Sequence, residues 1–225
     1  MNYKLKMIVS GCSWCDPTLH SFYHPELVCD WPKWPEILAE KLGMECVNLG
    51  NSGSGSEYIY NSLLETVPRT SDIGLVIASW SKSERRDWQK PDKTWDNARI
   101  DEKGDSEYWI QRQLRYYYSF QILCEYLKVP YKQVQMLSPT EFKGANASGH
   151  IGRNKALVSF GTNPMIDLIN ENNFIGWPPF KELLGFNIQN KIIETKDRRF
   201  QISNEDAHPN KKGHELIADF MYENI

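Results

Sequence analysis

Two short segments near opposite ends of the chain carry side chains suited to nucleophilic chemistry. Ser13 lies in the stretch Ser-Gly-Cys-Ser-Trp-Cys, directly after a short apolar run. His208 lies in the stretch Glu-Asp-Ala-His-Pro, with Glu205 and Asp206 just before it. A serine hydroxyl becomes an effective nucleophile when an imidazole takes its proton and an acceptor group orients that imidazole. These residue types together predict a serine hydrolase.

We expect His208 to act as the base, because it alone among the histidines is preceded by carboxylates and followed by a proline typical of a helix start. The remaining histidines are expected to be surface or packing residues: His20, His24, His150 and His214. The orienting acid is left open between two neighbours. Asp206 can reach Nδ1 of the imidazole through a short loop, and Glu205 is the alternative. In the alternative interpretation, neither carboxylate has a catalytic role, and both only stabilise the partial positive charge at the N-terminus of the last helix.

Hydrophobic patterning places these segments in an alternating β/α chain. Strands are predicted at residues 4–9, 44–49, 72–79 and 131–137, with a further strand near Phe174 and Ile175. Helices are predicted at residues 34–42, 57–65 and 110–127, in short stretches at 162–170 and 179–184, and from Pro209 onward. This alternation is typical of a parallel sheet with right-handed crossovers, in which ligands bind at the carboxyl ends of the strands. Ser13 follows the first strand and therefore falls at such an end.

The predicted helix at residues 57–65 is preceded by a capping signal. Ser54 and Glu57 have the spacing of a capping box, in which each side chain accepts a backbone N–H near the helix start. We therefore expect Ser54 to cap this helix.

A chain of 225 residues with 40% hydrophobic residues suits one compact domain, which we expect to span residues 1–225. Two loop excursions are predicted near residues 82–106 and 138–160. The first is charged and short of aliphatic residues, with Trp88 and Trp95 as isolated anchors, so we expect it to be exposed near the mouth of the site. The second is rich in glycine and includes His150.

Charge and hydropathy argue against several partners. A net charge of −3 without a long basic run does not predict nucleic-acid binding. No apolar run approaches the roughly 20 residues that span a bilayer, and no signal-peptide pattern is present. The sequence therefore predicts a cytoplasmic protein with neither a membrane nor a nucleic acid as partner. It does not indicate whether the protein is a monomer or an oligomer.

The five cysteines are an odd number and are scattered, which is typical of reduced thiols. Cys12 and Cys15 form a C-x-x-C motif, for which a redox pair or half of a zinc site is the alternative interpretation. A zinc site needs about two more ligands at matching spacing, and no second cluster of cysteine or histidine supplies them. We therefore expect no metal and no organic cofactor.

The motifs, taken in chain order, resemble the blocks of the SGNH or GDSL hydrolase family. The first block, usually G-D-S, reads Gly-Cys-Ser and ends at Ser13. The second block, N-x-G-x-S-G, reads Asn-Leu-Gly-Asn-Ser-Gly and ends at Gly53. The third block, usually G-x-N-D, is replaced by Ser-Trp-Ser-Lys, so that its asparagine position falls on Ser81. The last block, D-x-x-H-P, gives His208 with Glu205 at the acid position.

This resemblance implies a three-layer α/β/α sandwich with a flavodoxin-like parallel sheet of about five strands. It also implies an oxyanion hole formed by the backbone N–H groups of Ser13 and Gly53, with a third donor from Ser81 or Asn51. The variant blocks look like those of a divergent branch found in tailed phages and environmental bacteria. A phage origin would make association with the virion an alternative to the cytoplasm.

The function that these residues and the resemblance imply is a serine esterase. It would remove O-acyl groups from a small-molecule or glycan ester through an acyl-serine intermediate. The acetyl group is the expected acyl group. Trp14, Trp80 and Arg85 are candidate substrate-binding residues, because aromatic rings stack on sugars and a guanidinium binds anionic groups. Core packing of the tryptophans and a fold-back of Arg85 on Asp87 are the alternatives. Two other functions fit the same motifs: a catalytically silent module that binds a glycan or a protein, and an O-acyltransferase.

Overall fold

The computed structural model describes residues 4–139, 149–193 and 198–225. The strands of this part of the chain are β1 (Lys6–Ser10), β2 (Glu45–Asn48), β3 (Ile73–Trp80), β4 (Arg86–Gln89), β5 (Trp95–Ala98), β6 (Tyr131–Gln135) and β7 (Phe174–Ile175). Five of them form a parallel sheet in the order β2-β1-β3-β6-β7. This order is the flavodoxin-like arrangement that was predicted. The predicted strands are confirmed, with small shifts at their ends.

Helices cover both faces of this sheet. They are α1 (Trp34–Lys41), α2 (Ser56–Thr66), α3 (Ser106–Leu127), α4 (Gly149–Gly161), α5 (Ile188–Ile193) and α6 (Lys211–Glu223). Helices α1 and α6 pack on one face, whereas α2 and α3 pack on the other. The predicted three-layer α/β/α sandwich is therefore confirmed. Among the described helices, none combines the length and the apolar character that a membrane span requires.

Strand β1 shows why the central strands are continuous apolar runs. Met7 and Val9 belong to the core beneath α1 and α6, and Ile8 belongs to the core beneath α2 and α3. Successive side chains of a strand point to opposite faces, so a strand covered on both sides needs an apolar residue at every position. Each of these three side chains is 0% exposed, and burying one contributes about 1.5–3 kcal/mol.

The cap of α2 differs from the prediction. The helix begins at Ser56 after Gly55, and no capping-box bond from Ser54 is formed. Instead, the Asp87 carboxylate accepts the N–H groups of Gly55 at 2.8 Å and of Tyr58 at 2.9 Å. The carboxylate of a β4 residue thus caps the start of α2. Such a cap typically stabilises a helix by about 1 kcal/mol. Burial raises the pKa of Asp87 above its ordinary value.

The excursion at residues 82–106 contains a structure of its own. Strands β4 and β5 pair as an antiparallel hairpin that packs against α2. The ring of Trp95 meets that of Tyr58 edge-on at 5.5 Å, while Trp88 is 41% exposed. The predicted loop is therefore a hairpin held by one of its two tryptophans.

Two further boundaries are corrected. The loop predicted up to residue 160 is wrong from Gly149 onward, because α4 occupies this segment and buries Ala156 and Phe160 one turn apart against α3. Residues 140–148 and the side chain of His150 lie outside the described part. Pro209 precedes the last helix, which begins at Lys211 with the Asn210 side chain accepting the N–H of Gly213 at 3.1 Å.

Candidate active site

Ser13, His208 and Asp206 form a hydrogen-bonded row. Nε2 of His208 lies 2.9 Å from Oγ of Ser13, and Nδ1 lies 2.5 Å from Oδ1 of Asp206. Ser13 follows β1 and His208 lies just before α6, so the fold brings together residues 195 positions apart. The contacts are those that a base needs to accept a proton from a hydroxyl while its ring is held by an acid.

A tight turn presents the hydroxyl of Ser13. The N–H of Cys15 donates to the carbonyl of Cys12 at 2.8 Å and closes the turn. Gly11 is required at the start, because a Cβ there would overlap Sγ of Cys15 and lie 3.0 Å from Cβ of Ser79. Ser13 is 6% exposed, so its hydroxyl sits in a mostly enclosed position.

The side chain of Asn48 connects this turn to its surroundings. Its Nδ2 donates to the carbonyl of Cys15 at 2.7 Å and to Oε1 of Glu36 at 2.5 Å, and its Oδ1 accepts the N–H of Gly50 at 2.9 Å. Glu36 lies in α1, so one amide links the turn after β1, the loop after β2 and a helix.

Asp206 is the carboxylate that contacts the imidazole. It is 2% exposed and accepts hydrogen bonds from Oγ of Ser21 at 2.6 Å and from the backbone N–H of His208 at 3.1 Å. Burial opposes its ionisation, but these hydrogen bonds and the imidazole outweigh burial and hold the pKa of Asp206 below its ordinary value. Glu205 is exposed, and its carboxylate instead accepts from the hydroxyl of Ser203 at 3.0 Å.

Ser21 was not anticipated from the sequence. It lies 185 positions from Asp206 in an irregular loop, and no motif marks it. It is 3% exposed, and its hydroxyl also accepts the N–H of His24 at 3.0 Å. The Ser21 hydroxyl bonds to Oδ2 of Asp206, the oxygen that does not contact the imidazole. A buried hydrogen bond of this kind fixes the orientation of a carboxylate.

Two backbone N–H groups, one on the turn after β1 and one on the loop after β2, lack partners among the described residues. The N–H groups of Ser13 and Gly53 donate no hydrogen bond to any residue in the described ranges. The loop containing Gly53 is tied to the turn after β1, because the N–H of Asn51 donates to the carbonyl of Gly11 at 3.0 Å. Asp16 adds a second tie, since its Oδ2 accepts the N–H of Ser52 at 3.0 Å. Gly53 has a φ of +81°, a conformation that favours glycine.

The side chains predicted as a third donor are engaged elsewhere. Nδ2 of Asn51 donates to Oγ of Ser54 at 2.8 Å. Ser81 is 0% exposed, and its Oγ accepts from Nη1 of Arg85 at 2.8 Å. Ser81 is therefore buried away from any substrate, and the prediction that it lines the site is wrong.

The predicted substrate-binding residues are structural in this fold. Trp14 is 3% exposed in the core beneath α1, and Trp80 is 0% exposed in the opposite core, where its indole donates to Oε1 of Gln133 at 2.9 Å. Arg85 donates to the carbonyl of Ser54 at 2.9 Å, and its charge favours the ionised form of the nearby Asp87 without a hydrogen bond between the two side chains in the described ranges. Rings buried in a core cannot stack on a sugar, so the tryptophan predictions are wrong.

The C-x-x-C motif does not form a site for a metal or a disulfide. Cys12 and Cys15 are unpaired thiols at 0% exposure, and burial, together with the neighbouring Cys12, raises the pKa of Cys15 well above its ordinary value. Within the described residues, no group of three or more His, Cys, Asp or Glu side chains has the arrangement of a metal site.

The other described histidines lie outside the row. His20 is exposed, and Nδ1 of His24 lies 3.8 Å from Glu26. His214 is 0% exposed, and its Nδ1 accepts the N–H of Trp34 at 3.2 Å. It is thus a packing residue, as predicted.

Neither a protein-family model nor a curated protein sequence matches this chain. Solved structures match it over nearly its whole length. An esterase from a Pseudoalteromonas species, in a structure inhibited by monoethylphosphonate, is 12% identical with a TM-score of 0.56, covering 97% of this chain and 95% of that one. An acetyl xylan esterase is 14% identical with a TM-score of 0.55, covering 98% and 100%. A member of the lipolytic G-D-S-L family from Veillonella parvula is 12% identical with a TM-score of 0.53, covering 97% of each chain.

These likenesses define the class of fold. The chain has the α/β fold of the SGNH or GDSL hydrolases, with a divergent sequence. The resemblance predicted from the four sequence blocks is therefore confirmed at the level of the fold.

Proposed function

We propose that this protein is a serine esterase that removes O-acyl groups through an acyl-serine intermediate. The observation that carries the proposal is the row of Ser13, His208 and Asp206, with contacts of 2.9 Å and 2.5 Å. The SGNH fold and the esterases among its structural neighbours support the same reaction class.

In this reaction, Oγ of Ser13 attacks the ester carbonyl carbon while Nε2 of His208 takes the hydroxyl proton. Asp206 keeps the ring in the tautomer with Nδ1 protonated and stabilises the imidazolium that forms. When the tetrahedral intermediate collapses, the bond to the leaving alkoxide breaks and His208 returns the proton to that oxygen. A water molecule then repeats the sequence on the acyl-serine ester, releasing the carboxylic acid and the free Ser13 hydroxyl.

The negative charge of each tetrahedral intermediate lies on the former carbonyl oxygen. The N–H groups of Ser13 and Gly53 are the donors that we assign to this oxygen, because both lack partners among the described residues and their two loops are tied together. Each such donor typically contributes about 10²- to 10³-fold in turnover.

An O-acetylated carbohydrate is the substrate class that we favour. One structural neighbour is an acetyl xylan esterase. In place of the buried tryptophans, Phe22 and Tyr23 directly follow Ser21, which contacts Asp206; they are 89% and 59% exposed and pack edge-on at 5.8 Å. Exposed rings next to a residue that contacts Asp206 can stack on a sugar. A sugar hydroxyl in place of water as the acyl acceptor would make the same machinery an O-acyltransferase.

A catalytically silent binding module is the second candidate. It is favoured by the replacement of the third block, because the Ser81 hydroxyl is 0% exposed and the Asn51 amide donates to Ser54. The two candidates differ in whether the hydroxyl of Ser13 reacts.

A fluorophosphonate probe and p-nitrophenyl acetate test the proposal. The folded wild-type protein should be labelled by the probe and should hydrolyse the ester, whereas Ser13→Ala should lose labelling and at least about 10⁴-fold of kcat. Ser71→Ala is the matched control, because Ser71 is exposed at the opposite end of β3. Wild-type protein that is folded but inert to both reagents would refute the esterase and favour the binding module.

A further inference from the structure

The oxyanion site assigned above has two backbone donors and lacks the side-chain amide of the missing third block. The residue at that position, Ser81, is buried and engaged with Arg85. The amide of Asn51 is engaged with Ser54. If the protein is an esterase, another part of the chain can supply a third donor.

The side chain of Asn97 lies directly against Gly53. A Cβ built on Gly53 would fall 2.8 Å from Nδ2 and 2.9 Å from Oδ1 of Asn97, closer than real Cβ contacts allow. Gly53 is therefore the residue that leaves room for this amide. Since the N–H of Gly53 is one of the two assigned donors, the Asn97 amide lies against a residue that would hold the oxyanion.

The Asn97 amide is also uncommitted. It is half-buried, and within the described ranges its side chain makes no hydrogen bond. Its backbone N–H, by contrast, donates to Oδ1 of Asp96 at 2.9 Å. A partly buried amide without a partner has donor capacity to spare for a ligand.

The hairpin that carries Asn97 is fixed relative to the loop containing Gly53. Asn97 in β5 pairs directly with Asp87 in β4. Asp87 in turn accepts the N–H of Gly55, only two residues beyond Gly53. Arg85, at the base of the hairpin, adds a hydrogen bond to the carbonyl of Ser54 at 2.9 Å. These contacts hold the hairpin backbone that carries Asn97 in place before any charge develops, and such preorganisation is the condition under which a donor stabilises a transition state efficiently.

We propose that Nδ2 of Asn97 is the third oxyanion donor, supplied by the hairpin instead of by the segment that directly follows β3. The proposal rests on the esterase function proposed above. Asn97 would contact the reacting oxygen directly and would be a catalytic residue. No proton is transferred in this role, because the amide only donates a hydrogen bond to the oxygen as its negative charge forms.

The test compares Asn97→Ala and Asn97→Asp with the wild-type protein, using p-nitrophenyl acetate. The alanine variant should lose about 10²- to 10³-fold in kcat with a much smaller change in KM, since the contact is made in the transition state. The aspartate variant keeps the shape but lacks the N–H and adds a negative charge, so its loss should be at least as large. Gln89→Ala is the matched control, because Gln89 is exposed on the same hairpin and should leave both constants unchanged.

The outcomes separate this proposal from the esterase function. If Ser13→Ala abolishes turnover while both Asn97 variants keep the wild-type kcat, the esterase stands and the role of Asn97 is overturned. An increase in kcat in Asn97→Ala would mean that the amide blocks the site, which also overturns the proposal. A folded wild-type protein without any turnover refutes both. Circular dichroism and thermal unfolding of each variant show whether a loss reflects misfolding, and the isosteric aspartate variant gives the answer if the alanine variant does not fold.

Discussion

His214 allows a quantitative test of how α1 and α6 are joined. Its ring is 0% exposed, and Nδ1 accepts the N–H of Trp34, the first residue of α1. Burial, and to a smaller extent the positive charges of Lys33 and His208, lowers the pKa of His214 from 6.5 to about 3. The folded protein therefore keeps this ring neutral at pH values at which an unfolded chain would protonate it.

This difference makes the stability depend on pH with a definite sign. Between pH 6.5 and about pH 3, the unfolded state binds a proton at His214 that the folded state does not. The free energy of unfolding therefore falls as the pH is lowered through this window, by about 1.36 kcal/mol for each unit. At about pH 4.5 the loss from this one group is about 2.7 kcal/mol, a large part of the roughly 5–15 kcal/mol that stabilises a domain.

Urea unfolding of the wild type and of His214→Asn, at about pH 7 and about pH 4.5, measures this effect. The asparagine oxygen can still accept the N–H of Trp34 but does not titrate. The loss of stability between the two pH values should therefore be about 2.7 kcal/mol smaller in the variant. His20→Asn, which changes an exposed histidine, should behave like the wild type. An equal pH dependence in wild type and His214→Asn would refute the reasoning.

Two further predictions concern the acid of the site. Asp206→Asn should lower kcat for p-nitrophenyl acetate by about 10⁴-fold, because an amide does not hold the correct tautomer of His208, whereas Glu205→Gln should stay within about twofold; the reverse pattern would assign the acid to Glu205. Ser21→Ala removes a buried donor from Asp206 and should lower the free energy of unfolding by about 1–3 kcal/mol in urea titrations; an unchanged midpoint and slope would show that this hydrogen bond contributes nothing to stability.

The central sheet could be predicted because its strands are covered on both faces. Burial on both sides requires an unbroken apolar run, and such runs are visible in a sequence without knowledge of partners. The hairpin of β4 and β5 could not be found in this way. Its strands are polar and largely exposed. The hairpin is held to α2 by a hydrogen bond from the N–H of Tyr58 to Asp87, and these two residues lie 29 positions apart in the sequence.

The candidate site was predictable where its chemistry is local. Ser13 and His208 lie in short recognisable motifs, but the choice between Asp206 and Glu205 depends on a shift of one residue that only the loop geometry decides. Trp80 was misassigned because an aromatic residue serves equally well in a core or on a binding surface. Ser21 and Asn97 lie outside any motif, so their positions follow only from the folded structure.

Asn48 has a consequence for how this fold tolerates change. The amide needs both of its functions, since its nitrogen donates to Cys15 and Glu36 while its oxygen accepts from Gly50. Aspartate would lack the donor, and serine would be too short to span all three partners. Because Asn48 ties the turn after β1 to α1 and to the loop after β2, the hydroxyl of Ser13 can keep its position although Cys12 stands where the first block usually has aspartate.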